Sequence, residues 1–197
     1  MRQFVVVGHD VPIDAEISLD DLPGSGRLDV LCRCVTAGLL TSHGIREETK
    51  VHLVLDDAVT ITVDGASVRR LNPDERSTGA LLRDALAARE GAIGHQPVES
   101  SPGVELRRRG FEATLDAIAD DGELVVLDPD GDPAGSTEPP ENPAFVLSDH
   151  HDFAADERAA LEDRGAIPIS LGPRPIHGDQ AITVAHNWLD TDGFERY

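Results

Sequence analysis

Three stretches decide the fold: Leu124-Val125-Val126-Leu127-Asp128-Pro129-Asp130-Gly131, Phe145-Val146-Leu147-Ser148-Asp149-His150, and Ile167-Pro168-Ile169-Ser170-Leu171-Gly172-Pro173-Arg174-Pro175. Each begins as a short apolar run and breaks at once into a segment of turn-forming residues, which is how a buried strand ends in a loop. From Gly110 onward the pattern reads helix, strand, loop, strand, helix, strand, loop, helix. That alternation predicts an α/β fold with a parallel-sheet core. Ligands in such sheets sit beyond the carboxyl ends of the strands, so the three turn segments are where a site is expected.

Working toward the amino end, Gln3 to Val7 reads as a strand broken by Gly8-His9-Asp10. A helix is expected from about Arg27, with Leu28, Leu31, Val35, Leu39 and Leu40 on one face and Gly44 as its stop after His43. Val51 to Leu55 and Val59 to Val63 read as strands around Asp56-Asp57-Ala58, with Val68 to Leu71 continuing the meander. Asn72-Pro73 turns the chain into a helix from Ser77 to Glu90, and the run from Gly91 to Gly103 reads as a loop.

The 197 residues suffice for one substantial core, so a single domain over 1–197 is expected. No run approaches the eighteen or so apolar residues of a membrane span, and Met1-Arg2-Gln3 leads straight into a strand, not a signal peptide. A cytoplasmic protein is expected. Cys32 and Cys34, two apart on a helix, point to different sides and are poorly placed for a mutual disulfide.

The net charge of −20 would ordinarily argue against a nucleic-acid partner. However, Lys50 is the only lysine among the 17 cationic residues, and 37 carboxylates outnumber them, a bias like that of the proteins of extreme halophiles. At molar salt the Debye length is about 3 Å, so a spread acidic surface repels RNA weakly while close arginine contacts persist. Charge does not exclude RNA here.

Three motifs carry a resemblance. Asp21-Leu-Pro-Gly-Ser-Gly-Arg-Leu-Asp-Val-Leu-Cys-Arg-Cys34, Asn72-Pro-Asp-Glu-Arg76, and Ile169-Ser-Leu-Gly-Pro173 with Ala181-Ile-Thr-Val-Ala-His-Asn187 resemble the archaeal TrmY family across nearly the whole chain. The resemblance implies a SPOUT fold with a trefoil knot at its carboxyl end, a homodimer, and S-adenosylmethionine as methyl donor. It implies methylation of pseudouridine N1 at position 54 in the TΨC loop of tRNA. More distantly it extends to ribosomal-RNA pseudouridine N1-methyltransferases.

By the same resemblance Leu127, Ser148, Ser170, Leu171, Gly172, Ile176 and Ala181 bind the cofactor. Glycine is usual in the family where Ser148 stands, and cysteine can stand where Ala181 does. Binding through backbone groups survives both departures.

Methyl transfer from a sulfonium is an in-line displacement in which positioning does most of the work. N1 of pseudouridine must lose its proton, which asks for a carboxylate or water as acceptor and a cation near the developing charge. Asp29 and Arg27, at the start of the first helix, fit those roles. Arg107, Arg108 and Arg109, with Arg33, Arg70 and Arg76, are the expected RNA contacts, since guanidinium groups pair well with phosphate. Trp188 is expected in the core or in a dimer interface.

Val146-Leu-Ser-Asp-His-His-Asp152 also resembles the signature of DHH phosphoesterases, whose Asp and His residues hold hard metals. That alternative lacks the later glycine-rich motif of its class. A calcium loop at Asp128, Asp130 and Asp132 fails because Pro139 occupies the place of its bidentate glutamate. No metal is expected.

Overall fold

A computed structural model of the chain describes residues 1–197 except Ala15, His95, Asp120 and Asp121. Eight strands form one sheet: β1 (Arg2–Gly8), β2 (Thr49–Leu55), β3 (Val59–Asp64), β4 (Val98–Ser101), β5 (Val104–Arg107), β6 (Glu123–Pro133), β7 (Pro143–Ser148) and β8 (Ile167–Ser170), in the order β4-β5-β3-β2-β1-β7-β6-β8. The run β2-β1-β7-β6-β8 is parallel throughout, and β3, β5 and β4 extend it antiparallel. The expected α/β fold with a parallel-sheet core is what the chain forms.

Among the described residues five α-helices cover the sheet: α1 (Leu28–Leu39), α2 (Glu75–Ala87), α3 (Phe111–Ala119), α4 (Ala155–Asp163) and α5 (Gly178–Asp190). Alternation along β1 sorts them. Phe4 and Val6 join the core under α1, α2 and α5, while Val5 and Val7 join a second cluster with Phe111, Leu115 and Leu161 of α3 and α4. Leu28, Leu31 and Leu82 are fully buried, each worth about 2 kcal/mol of apolar transfer. Trp188 is also fully buried within this chain, which places it in the core. Among the described residues no helix is long and apolar enough to cross a membrane.

Several boundaries differ from expectation, each for a physical reason. Val68 to Leu71 forms no strand: Val68 is a buried plug after the turn at Asp64, and the strand that pairs with β3 on the side away from β2 is the distant β5. The supposed loop from Gly91 to Gly103, whose His95 lies outside the described residues, contains the edge strand β4. α1 stops at Leu39, where Leu40 turns extended and bridges to Ile45. α2 starts earlier than expected because Asp74 caps it, its side chain accepting the Ser77 N–H at 2.8 Å.

The long β6 matters most for the site. Leu127 pairs with Ile169; the ladder then breaks, and Asp132 pairs with the same Ile169. The intervening Asp128–Gly131 segment therefore bulges out of the ladder within β6, just past its apolar Leu124–Leu127 run. Gly131 lies so close to β8 that a Cβ there would sit 2.5 Å from the Pro168 carbonyl carbon.

Candidate functional site

The carboxyl ends of β6, β7 and β8 open into a cleft of about 540 Å³ and an adjoining smaller recess. Leu127, Ile176 and Ala181 line both spaces, Ser148 the larger, and Ser170, Leu171 and Gly172 the smaller. All seven expected cofactor positions thus converge, although 54 residues of chain separate the first from the last. Val30, Leu147, Arg158, His177 and Gly178 complete the walls. Nothing in the sequence singled these five out; only their neighbours in the turn segments pointed there.

The walls are mixed: Val30, Leu127, Leu147, Phe153, Ile176 and Ala181 give an apolar part, beside the histidines and arginines and the acids Asp128, Asp130, Asp149 and Asp152. Such a surface suits a ligand with an aromatic part and a cationic centre. The Ser148 hydroxyl is buried on this wall without a hydrogen-bond partner, and buried hydroxyls are ordinarily paired. A ligand's polar group is a ready partner for it.

Arg27 reaches the same cleft from the start of α1. Gly26 (φ 64) and Arg27 (φ 54) are both left-handed, and a Cβ on Gly26 would collide with the Asp10 carbonyl oxygen. This turn folds the Arg27 side chain onto Asp29: Nε donates to Oδ1 at 3.0 Å and Nη2 to Oδ2 at 3.1 Å. Arg33 adds a third donor to Oδ2 at 3.1 Å and also binds Glu75 at 2.9 Å. Asp29 is buried, and the Arg27 hydrogen bonds hold its carboxyl below the ordinary range of about 3.8. A carboxylate so engaged is a weak proton acceptor. Asp29 does not itself line the cleft.

The expected RNA contacts are scattered. Arg76 pairs with Asp20 beside α2. Arg107 pairs with Glu105 at 3.0 Å, and Arg108 donates to the Arg89 carbonyl at 3.4 Å. Arg109 borders a separate polar cavity of about 410 Å³ with Gln3, Lys50 and His52, and burial lowers its guanidinium pKa. These three lie on and beyond β5, across the sheet from the cleft. Arg70 is exposed, with a left-handed backbone.

Asp149, His150 and His151 do line the cleft, but they are engaged with one another and with His9. Among the described residues no three His, Cys, Asp or Glu side chains gather as a metal-binding group.

The sequence profile of a family described as SAM-dependent RNA methyltransferase matches residues 1–194. Full-length relatives named tRNA (pseudouridine(54)-N(1))-methyltransferase include those of Haloarcula marismortui, 62% identical, and Haloferax volcanii, 58% identical, each covering 100% of both chains. One from Methanopyrus kandleri is 41% identical over 96% of this chain and 93% of that one. The fold is similar to the crystal structure of Archaeoglobus fulgidus Nep1 bound to S-adenosylhomocysteine, with a TM-score of 0.63, 14% identity, and coverage of 98% and 96% of the two chains.

Proposed function

The chain belongs to this family of SAM-dependent RNA methyltransferases, and from that membership we propose that it methylates N1 of pseudouridine 54 in the TΨC loop of tRNA. The observation that carries the reading is the convergence of Arg27 with the seven expected cofactor positions around one cleft.

S-adenosylmethionine supplies a methyl group on a cationic sulfur, whose C–S bond breaks as the N1–C bond forms. The chain's residues supply positioning. Leu127, Leu171, Ile176 and Ala181 offer an apolar seat, Ser170 and Gly172 shape the third loop, and the Ser148 hydroxyl offers a hydrogen bond. The Asp149 and Asp128 carboxylates favour a positive ligand. Arg27, steadied by Asp29, faces the same space and stabilises negative charge as N1 loses its proton. Because Asp29 is held ionised between Arg27 and Arg33, its role is to orient Arg27, and the proton passes to water.

Arg33, Arg76, Arg107, Arg108 and Arg109 are proposed as RNA contacts, those already paired exchanging a carboxylate for phosphate. We also propose that the chain is one domain over 1–197 with a knotted carboxyl end, acting as a homodimer in the cytoplasm of a halophilic archaeon. Light scattering in molar KCl tests the dimer.

The function is tested with labelled S-adenosylmethionine in molar KCl, using tRNA transcripts that carry pseudouridine or uridine at position 54. Transfer to the pseudouridine transcript alone supports the reading. Equal transfer to both, or to neither, overturns it.

A further inference from the structure

Methyl transfer as described leaves His150 and His151 of the β7 loop, and the His9 ring beside them, without a task; Asp149 ties the three together. Its carboxylate is buried, with the Asp149 side chain 1% exposed, and it gathers donors from two loops. Oδ2 accepts the His9 backbone N–H at 2.8 Å, and Oδ1 accepts the His151 backbone N–H at 2.9 Å. The His9 ring then bridges two acids, Nδ1 lying 3.1 Å from Asp149 Oδ1 and Nε2 lying 3.2 Å from Glu157 Oε2. A neutral imidazole has one N–H and one lone pair, so one carboxylate would face that lone pair. Only the imidazolium donates to both.

Glu157 also accepts the Ala154 N–H at 2.7 Å, fixing the first turn of α4. The next residue, Arg158, lines the cleft and pairs with Asp128 on the β6 loop at 3.5 Å. His9 thus joins the end of β1 to the β7 loop and to α4, and through Arg158 to the β6 loop.

We propose that protonated His9 is a positioning residue for the cofactor cleft: its imidazolium clamps Asp149 to Glu157 and holds the Ser148–Phe153 wall in the shape that receives S-adenosylmethionine. The proposal rests on the methyl-transfer reading. The acids facing His9 favour the charge, and two further histidines flank it. Asp149 and Glu157 touch it; His151 stands edge-on at 5.7 Å, itself 3.6 Å from Asp10, and His150 lies 3.4 Å from Asp149. The nearby cations, Arg27 and Arg158, are committed to Asp29 and Asp128. Burial opposes the charge, but the hydrogen bonds to Asp149 and Glu157 outweigh it and raise the pKa above 6.5. The clamp is therefore complete below pH 6.5 and is lost as the pH rises through the raised value.

Two variants restore half the clamp each without titrating: His9→Asn keeps a donor for Asp149, and His9→Gln keeps one for Glu157. Calorimetric binding of S-adenosylmethionine between about pH 6 and 9 is compared for the wild type and both, with the His9 ring titrated by ¹⁵N NMR. The wild type is expected to weaken about tenfold as His9 titrates, and the variants to bind about tenfold more weakly at low pH with a flatter response. KM for the cofactor rises accordingly while kcat changes little. A His9 midpoint at or below the ordinary value of about 6.5, or variants keeping the wild-type pH response, overturns the clamp alone. A wild type that binds no S-adenosylmethionine at any pH overturns the methyl-transfer reading and the clamp with it.

Discussion

Arg27 and Asp29 meet in a two-pronged ion pair, Nε to Oδ1 at 3.0 Å and Nη2 to Oδ2 at 3.1 Å, with a single residue between them in the chain. The contact requires the left-handed backbone of Arg27, since an ordinary helical start would send the two side chains apart. The chain accepts that conformation and gains an arginine whose head is fixed beside the cleft.

Asp29→Asn should therefore damage catalysis more than cofactor binding. Without the carboxylate Arg27 loses its orientation, and kcat is expected to fall roughly 10- to 1,000-fold. Calorimetric affinity for S-adenosylmethionine should change little. The variant also loses stability that the wild type has above pH 3.8 and gives up as acid titrates Asp29 through its lowered pKa. Steady-state kinetics showing an unchanged kcat would remove Arg27 and Asp29 from the mechanism.

Ser148→Ala separates folding from binding. Its hydroxyl is buried and unpaired without ligand, a state that costs about 1–3 kcal/mol. The free variant should melt at the wild-type temperature or above, while its stabilisation by saturating S-adenosylmethionine should shrink. Thermal melts with and without ligand measure both, and an equal ligand-induced shift in the two proteins would exclude the hydroxyl as a contact.

His52 makes stability pH-dependent in the opposite sense to His9. It is buried across the sheet, Nδ1 3.0 Å from the Thr62 hydroxyl and Nε2 3.0 Å from Gln3 Oε1, a pairing that a neutral ring satisfies. Burial, helped by Arg109 and Lys50, pushes its pKa down to about 3. Between pH 6.5 and about 3 the unfolded chain takes up the proton that the folded chain refuses, so stability falls with pH. The slope approaches about 1.4 kcal/mol per pH unit. Urea unfolding at pH 7 and pH 5 should show a smaller difference in His52→Gln than in the wild type.

Cys32 and Cys34 are buried free thiols, both pushed up to about 12 by burial. Thiolate, not thiol, is the nucleophile, so neither should react with a thiol reagent in the folded protein at pH 8. Both should react once urea unfolds the chain. Fast labelling of the native protein would show that α1 opens far more readily than its packing implies.

Local signals made much of this legible in sequence. The apolar runs of β1, β2, β3 and β7 and the helical stripes of α1 and α2 lie within a few residues of expectation, because burial on both faces of a strand, or on one face of a helix, writes itself as hydrophobic pattern; the edge strand β8, with Ile167 exposed, was marked by the turn that follows it. β4 was hidden because an edge strand needs few apolar residues, and only Val98 marks it. Val68 misled for the converse reason, since one buried valine serves a loop as well as a strand. The cleft that the expected cofactor positions line was reachable through the rule that sites form past strand ends, together with the family resemblance. The His9 to Asp149 bridge spans 140 residues, and no periodicity connects them.

The only tryptophan stands on the last helix, at the centre of the core. A chain emerging from the ribosome presents Trp188 only after every strand of the sheet has been made. Until α5 docks, the cleft lacks Ala181 and Gly178, so no shorter translation intermediate holds it complete. Nascent-chain fluorescence at this one indole would then report the moment at which synthesis becomes an enzyme.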